Sequence, residues 1–270
     1  DKFKLFLDKL DEAREERIEV TFDQYPYTAA STVFHAILPP WMHSGGTAEL
    51  LEKLQDPEVQ ERIKEDFENN TDYENWVLNC GWENVTLTSV STEKNRWVEG
   101  KNMVEISESL NMSPADAAFK LLIEENAGIT MLVHWGDEEV ISKGMKHPLQ
   151  IVGSDGIFGG KPHPRLYGTY PRVLGHFVRE RQALTLEEAI RKMTGAPAQL
   201  LRLKDRGLLK EGYAADIVIF DPQTIRDNAT YEDPLQEPSG IEYVFVNGKL
   251  AVENGKFLNV TAGQVIRRTP

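Results

Sequence analysis

Residues 2–17 place Phe3, Leu7 and Leu10 at helical spacing among Asp, Glu, Arg and Lys, which predicts an amphipathic helix. Residues 18–23 then alternate apolar and polar, the period of a strand. Tyr25-Pro26-Tyr27 ends it, because Pro26 offers no N–H to a ladder and forces extended geometry on Tyr25. From Thr47 two short helices follow: Leu50, Leu51 and Leu54 share one face, and Pro57 after Asp56 opens the second. Trp76-Val77-Leu78 and Val85-Thr86-Leu87-Thr88 read as short strands. Ser113-Pro114-Ala115-Asp116 is a helix start, with Ala118, Leu121 and Leu122 turned inward and an end near Gly128. Residues 129–134 form a buried apolar strand, Asp137-Glu138-Glu139 opens another helix, and residues 149–153 form a further strand.

A loop rich in Gly and Pro spans 154–168, followed by helices near 169–181, 185–193 and 196–202. Thr185-Leu186-Glu187-Glu188 has the form of a capping box. Beyond Asp205-Arg206-Gly207 the texture turns to strands, at 215–220 and 243–246, with Asn247-Gly248 as a hairpin turn. Strand alternating with helix up to residue 204 implies a parallel α/β body, 1–204, and the strands of 205–270 a small β domain. A complete eightfold barrel takes ~250 residues. Residues 47–112 read as an insertion, so the barrel expected here is an incomplete one.

Composition narrows the function. The 270 residues are 40% hydrophobic and carry 30 Lys and Arg against 43 Asp and Glu, a net charge of −13. That charge argues against nucleic acid and against docking on anionic lipid. No apolar run approaches the ~18 residues of a membrane span. Cys80 is the sole cysteine, so neither an internal disulfide nor a multi-cysteine zinc cluster is expected, and its simplest reading is a small buried apolar residue. A reducing, cytoplasmic setting follows as the expectation. The opening, Asp1-Lys2-Phe3-Lys4-Leu5, shows neither a signal-peptide core nor an initiator Met, so the chain is expected to begin inside a longer one.

Ser154-Asp155-Gly156 places a carboxylate just after a buried strand, where a parallel barrel has its catalytic mouth. Asp155 is a candidate general base or hard metal ligand, with capping of the next turn as the competing role. In Pro162-His163-Pro164-Arg165 two prolines stiffen the chain, and Arg165 suits two-pronged recognition of a carboxylate. A surface arginine in a rigid turn is the simpler alternative. Tyr25-Pro26-Tyr27 lines a pocket or merely packs, and Ser31 just beyond offers a hydroxyl. None of the six histidines forms a close ligand pair; His134, at a strand end, is the best single candidate for a ligand, against a structural role. Phosphate-binding glycine motifs and the G-x-S-x-G elbow are missing.

Taken together, these stretches resemble the D-aminoacylase (N-acyl-D-amino-acid deacylase) family of the amidohydrolase superfamily. The resemblance runs through Phe22-Asp23-Gln24-Tyr25-Pro26-Tyr27-Thr28-Ala29-Ala30-Ser31-Thr32, Val152-Gly153-Ser154-Asp155-Gly156 and His163-Pro164-Arg165-Leu166-Tyr167-Gly168-Thr169. It continues through Pro171-Arg172-Val173-Leu174-Gly175, Met193-Thr194, Asp205-Arg206-Gly207, Ala215-Asp216-Ile217-Val218 and Val246-Asn247-Gly248. It implies an α/β fold: the C-terminal part of a TIM-like, metallo-dependent hydrolase barrel with an inserted segment, plus part of a small β-sandwich. It implies a zinc-dependent amidohydrolase that cleaves the amide of a small N-acyl-D-amino acid. Asp155 matches the aspartate that binds metal and carries a proton from the attacking water to the leaving amine. Tyr25, Ser31 and Arg165 match positions that hold the substrate carboxylate.

The family's other zinc ligands, an H-x-H pair, a cysteine and two further histidines, belong upstream of residue 1, and Cys80 in the insertion does not match the ligating cysteine. The expectation is therefore a C-terminal fragment, inactive alone, that self-associates or needs a missing N-terminal half. Two other readings compete: a dihydroorotase- or hydantoinase-like amidohydrolase, and a non-catalytic half-barrel that serves assembly.

Overall fold

The computed structural model describes residues 2–267; Asp1, and with it the reading of the chain's opening residue, lies outside the described residues. Helix α1 (Lys2–Glu15) leads into strand β1 (Phe22–Gln24) and strand β2 (Ala29–Val33). Helices α2 (Gly46–Lys53), α3 (Pro57–Asn69) and α4 (Trp76–Cys80) precede β3 (Val85–Ser89). Then come α5 (Met103–Leu110), α6 (Pro114–Glu124), β4 (Thr130–His134), α7 (Glu138–Lys146) and β5 (Gln150–Val152). The second half holds α8 (Arg165–Arg172), a π-helical stretch (Val173–Glu180), α9 (Leu186–Met193), α10 (Gly195–Leu200) and strands β6 (Ile217–Phe220), β7 (Ile241–Val246), β8 (Lys249–Glu253) and β9 (Lys256–Phe257). This mixture makes an α/β fold.

The helix starts follow their caps. Asp56 accepts from Glu58 N, Ser113 from Asp116 N and Asp137 from Glu139 N, each satisfying a backbone donor left open at the first turn. Asn102 adds a full capping box with Glu105 at α5. The same chemistry corrects one reading: Trp76-Val77-Leu78 is not a strand but the start of α4, because the Asn75 carboxamide accepts from Leu78 N. At α9 only half of the expected box forms. Thr185 accepts from Glu188 N, while the Glu188 carboxylate turns to Arg191. The strand expected over 18–23 shortens to Phe22–Gln24, since pairing with β5 begins only at Phe22, opposite Gln150.

The contacts divide the chain into two units. One gathers the described residues of Asp1–Tyr27, Asp137–Gly156 and Pro164–Pro270. Here β1 and β5 pair in parallel, with Asp23 opposite Ile151, and β6-β7-β8-β9 form an antiparallel meander. Its core is built from Ile141, Met145, Val152, Val173, Leu174, Phe177, Ala189 and Ile225. Helices pack on the β1–β5 pair. Phe22 meets Phe6 of α1 at 5.3 Å between ring centres, and Lys192 of α9 donates to the strand-edge carbonyl Gln150 O at 3.0 Å. Asp23 points the other way, its Oδ2 filling the space where a Gly153 side chain would stand. Asn247 and Gly248 both take positive φ (49° and 77°), as a tight hairpin turn between β7 and β8 requires.

The other unit comprises Thr28–Gly136 and Ile157–His163. Its sheet, in the order β2-β4-β3, is antiparallel throughout, so residues 129–134 do not extend a parallel body. Phe34, Leu54, Ile63, Val85, Leu87, Met103 and Phe119 lie in one apolar core with Met131 of β4. The segment 47–112 falls within this unit. Ile157–His163 is bound to it by Lys161 N donating to Thr88 O at 2.9 Å and by the His163 ring.

Candidate functional site

Parallel pairing puts the C-terminal ends of β1 and β5 side by side, and the register is kept past the strand end by Gly153 N donating to Gln24 O at 3.3 Å. Tyr25 follows β1 directly and Asp155 lies three residues beyond β5, so both stand at that end. Asp155 takes a positive φ of 47°, a conformation aspartate tolerates because its short polar side chain can bond locally.

Arg165 is the first residue of α8, where the sequence suggests only a loop; Pro164 immediately before it has helical dihedrals and starts the turn. Its side chain is almost completely buried, with 1% of the residue exposed. Among the contacts that hold it, three define the site. Nη2 pairs with Asp155 Oδ2 at 2.6 Å, Nε donates to Asp155 O at 2.8 Å, and the guanidinium lies 4.6 Å from the centre of the Tyr25 ring. Asp155 itself remains 59% exposed at its side chain. A buried cation therefore carries an accessible carboxylate at its edge and an aromatic ring on its face. Burial raises the Tyr25 phenol above its ordinary pKa, against the opposing pull of Arg165.

Of the residues singled out from sequence, Tyr25, Asp155 and Arg165 meet in this one unit. Ser31 belongs to the other, on β2 opposite Leu132. His134 and His163 are also there, and both converge on Ala29: His134 is its register partner, and the buried His163 ring donates from Nε2 to Ala29 O at 2.9 Å. His163 is thus a structural tie. Cys80 is half-buried, and burial raises its thiol pKa, with Glu74 adding to the effect; it is no reactive thiolate. Among the described residues, no group of three or more His, Cys, Asp or Glu could hold a metal ion.

A second cluster escaped the sequence reading. Arg172, the last residue of α8, lies 5.0 Å from the Tyr27 ring centre and pairs with Asp227 at 3.2 Å and Glu138 at 3.3 Å. Its Nε donates to Pro26 O at 2.7 Å. Burial and the neighbouring Asp227 raise the Tyr27 phenol strongly. The signal was present in the spacing: Arg165 and Arg172 are two helical turns apart, and Tyr25 and Tyr27 are two residues apart. Asp227 had none, because it lies in a loop 200 residues from Tyr27.

The amidohydrolase family matches residues 91–252. The chain is 43% identical over 134 residues to the D-aminoacylase of Alcaligenes xylosoxydans xylosoxydans, covering 49% of this chain and 28% of that protein. The crystal structure of N-acyl-D-glutamate deacylase from Bordetella bronchiseptica, complexed with zinc and a phosphonate inhibitor, superposes with a TM-score of 0.71 at 30% identity. It covers 92% of this chain, which spans 43% of that one. A crystal structure of D-aminoacylase gives a TM-score of 0.74 at 30% identity, over 99% of this chain and 46% of its own. The chain thus spans less than half the length of these relatives. The match to residues 91–252 covers most of the chain and the structural matches nearly all of it, and the chain belongs to the amidohydrolase family of hydrolases, sharing its sequence and fold there with the D-aminoacylases.

Proposed function

We propose that this chain carries part of the active centre of an enzyme that hydrolyses the amide bond of N-acyl-D-amino acids, yielding a carboxylate and the free D-amino acid. The observation that carries the reading is the buried Arg165 guanidinium held between the Tyr25 ring and the accessible Asp155 carboxylate. Arg165 offers planar N–H donors to the substrate carboxylate, and the Tyr25 hydroxyl adds a single bond. Asp155 takes a proton from the attacking water and returns it to the amine nitrogen as the C–N bond breaks. Its ion pair with Arg165 links the proton carrier to the group that orients the substrate.

Zinc enters through the Bordetella bronchiseptica deacylase, which is described as complexed with it. Bound zinc would polarise the scissile carbonyl. Asp155 is the residue of this chain offered to it, but one carboxylate is too few for a zinc site. Among the described residues no group of three or more His, Cys, Asp or Glu could hold the ion. The accompanying fold reading is the C-terminal part of a TIM-like barrel, supported by the parallel β1–β5 pair, with β6–β9 as part of a small β-sandwich.

The test is amine release from N-acetyl-D-methionine and its L enantiomer, and ring opening of hydantoin to the ureido acid, by the zinc-replete protein that contains this sequence. Hydrolysis of the D substrate alone is expected. Failure on the D substrate, or comparable opening of hydantoin, overturns the reading.

A further inference from the structure

We infer that Arg172 is a positioning residue for the substrate-carboxylate site, setting the Tyr25 ring through the rigid Tyr25-Pro26-Tyr27 segment; the inference rests on the reading of Tyr25 and Arg165 given above. Helix α8 carries two arginines seven residues apart, hence on one face, and each stacks on one of two tyrosines and pairs with one aspartate. The two sets differ in what they leave accessible. Asp155 keeps a largely exposed carboxylate, whereas the side chain of Asp227 is only 12% exposed.

Arg172 is bonded to protein through each of its three nitrogens. Nε donates to Pro26 O, Nη1 to Asp227 and Nη2 to Glu138, while its plane lies on Tyr27. These bonds and the stack tie the guanidinium to the protein itself. What it holds is the carbonyl of Pro26, whose ring fixes φ and limits Tyr25 before it. Gly168, on the same helix between the two arginines, lets the strand end approach: a Cβ there would stand 2.2 Å from the Tyr27 hydroxyl. One helix therefore grips both sides of Pro26, and displacement of either arginine moves the ring on which the other depends.

The test is Arg172→Lys, which keeps the charge facing Asp227 and Glu138 but loses the planar stack and the Nε bond to Pro26 O. The expected result is a KM for the N-acyl-D-amino acid raised about tenfold with kcat within about threefold, because binding rather than chemistry is disturbed. Carbon NMR of ζ-labelled tyrosine, with the Tyr25 signal assigned by Tyr25→Phe, is expected to show that signal displaced in Arg172→Lys. An unmoved Tyr25 resonance, or an unchanged KM, overturns the inference. If Arg172→Lys does not fold, Asp227→Asn loosens the same guanidinium and is read in the same way. If the wild-type protein releases no amine, the proposed function falls, while the NMR comparison still decides whether Arg172 sets Tyr25.

Discussion

Lys192 donates from a fully buried Nζ to the backbone carbonyl of Gln150, 3.0 Å away, on the strand that leads to Asp155. The same ammonium holds His147 O at 2.6 Å, so it brackets the entry to β5, and Glu188 at 3.7 Å is its nearest carboxylate. Burial lowers its pKa, against the opposing effect of Glu188. Lys192→Met keeps the packing volume but removes the ammonium donor from the buried Gln150 carbonyl, a loss of about 1–3 kcal/mol, while His147 O keeps its bond from Gln150 N at 3.1 Å. Urea unfolding should show the reduced midpoint with an unchanged slope; an unchanged midpoint would mean that another group satisfies the Gln150 carbonyl.

Asp155→Asn should lower kcat by about 10²–10⁴, the range of a general acid–base group, and also lower the melting temperature, because the buried Arg165 guanidinium loses its paired charge. The backbone carbonyl of residue 155 continues to accept from Arg165 Nε, which limits that second effect. Steady-state kinetics beside a thermal melt separate the two effects. A variant that retains full rate removes Asp155 from the chemistry.

Gly168→Ala should destabilise the protein even though alanine favours helix. Its Cβ would collide with the Tyr27 hydroxyl and stand 2.9 Å from Asp227 Cβ, and buried side chains offer little room to yield. The expected cost is about 1–3 kcal/mol, visible as a lower melting temperature. The double variant Gly168→Ala, Tyr27→Phe should recover part of it, since the phenol oxygen is the nearest obstacle.

The unit built on β2, β3 and β4 should lose stability in acid. Bonds from Lys120 and Lys94 hold the Glu124 carboxyl down at about 2. At Glu125 burial works upward, but donors from Thr92, Asn95 and Ser91 outweigh it and lower the pKa. Both carboxyls bind protons less tightly folded than unfolded. Their stabilisation is therefore complete above the unfolded carboxylate value and fades as pH falls toward 2. All five tryptophans lie within Thr28–Gly136, so their fluorescence reports on this unit. The acid transition should begin below pH 4.5, and Glu124→Gln should flatten the dependence; an identical profile in that variant would contradict the assignment.

What the sequence disclosed was local. Asp56-Pro57, Ser113-Pro114 and Asp137 each mark a helix start because cap and first turn are neighbours along the chain. Asn75 is equally local, but the bulky Trp76-Val77-Leu78 run after it has strand-like composition, and capping prevailed over composition. The run Ala29–Val33 shows neither alternation nor a turn signal; it is a strand because β4 pairs with it. Asp155, Arg165 and Tyr25 could be read as candidates from stiff segments at strand ends. That they meet depends on parallel pairing between residues far apart, and the Arg172 cluster adds Asp227 from a remote loop.

Asn-Gly is the dipeptide most prone to spontaneous loss of the side-chain amide, through attack of the glycine nitrogen on the asparagine carboxamide. In the β7–β8 turn both participants are occupied. The Asn247 amide donates to Ala262 O at 2.7 Å and its oxygen accepts from Arg206 at 2.8 Å, while Gly248 N donates to Ala215 O at 2.9 Å. Folded molecules should therefore resist chemical ageing here, and unfolded ones should not. Peptide mapping of stored protein for aspartate or isoaspartate at position 247 would then record how long the chain has spent unfolded, a clock written into the hairpin itself.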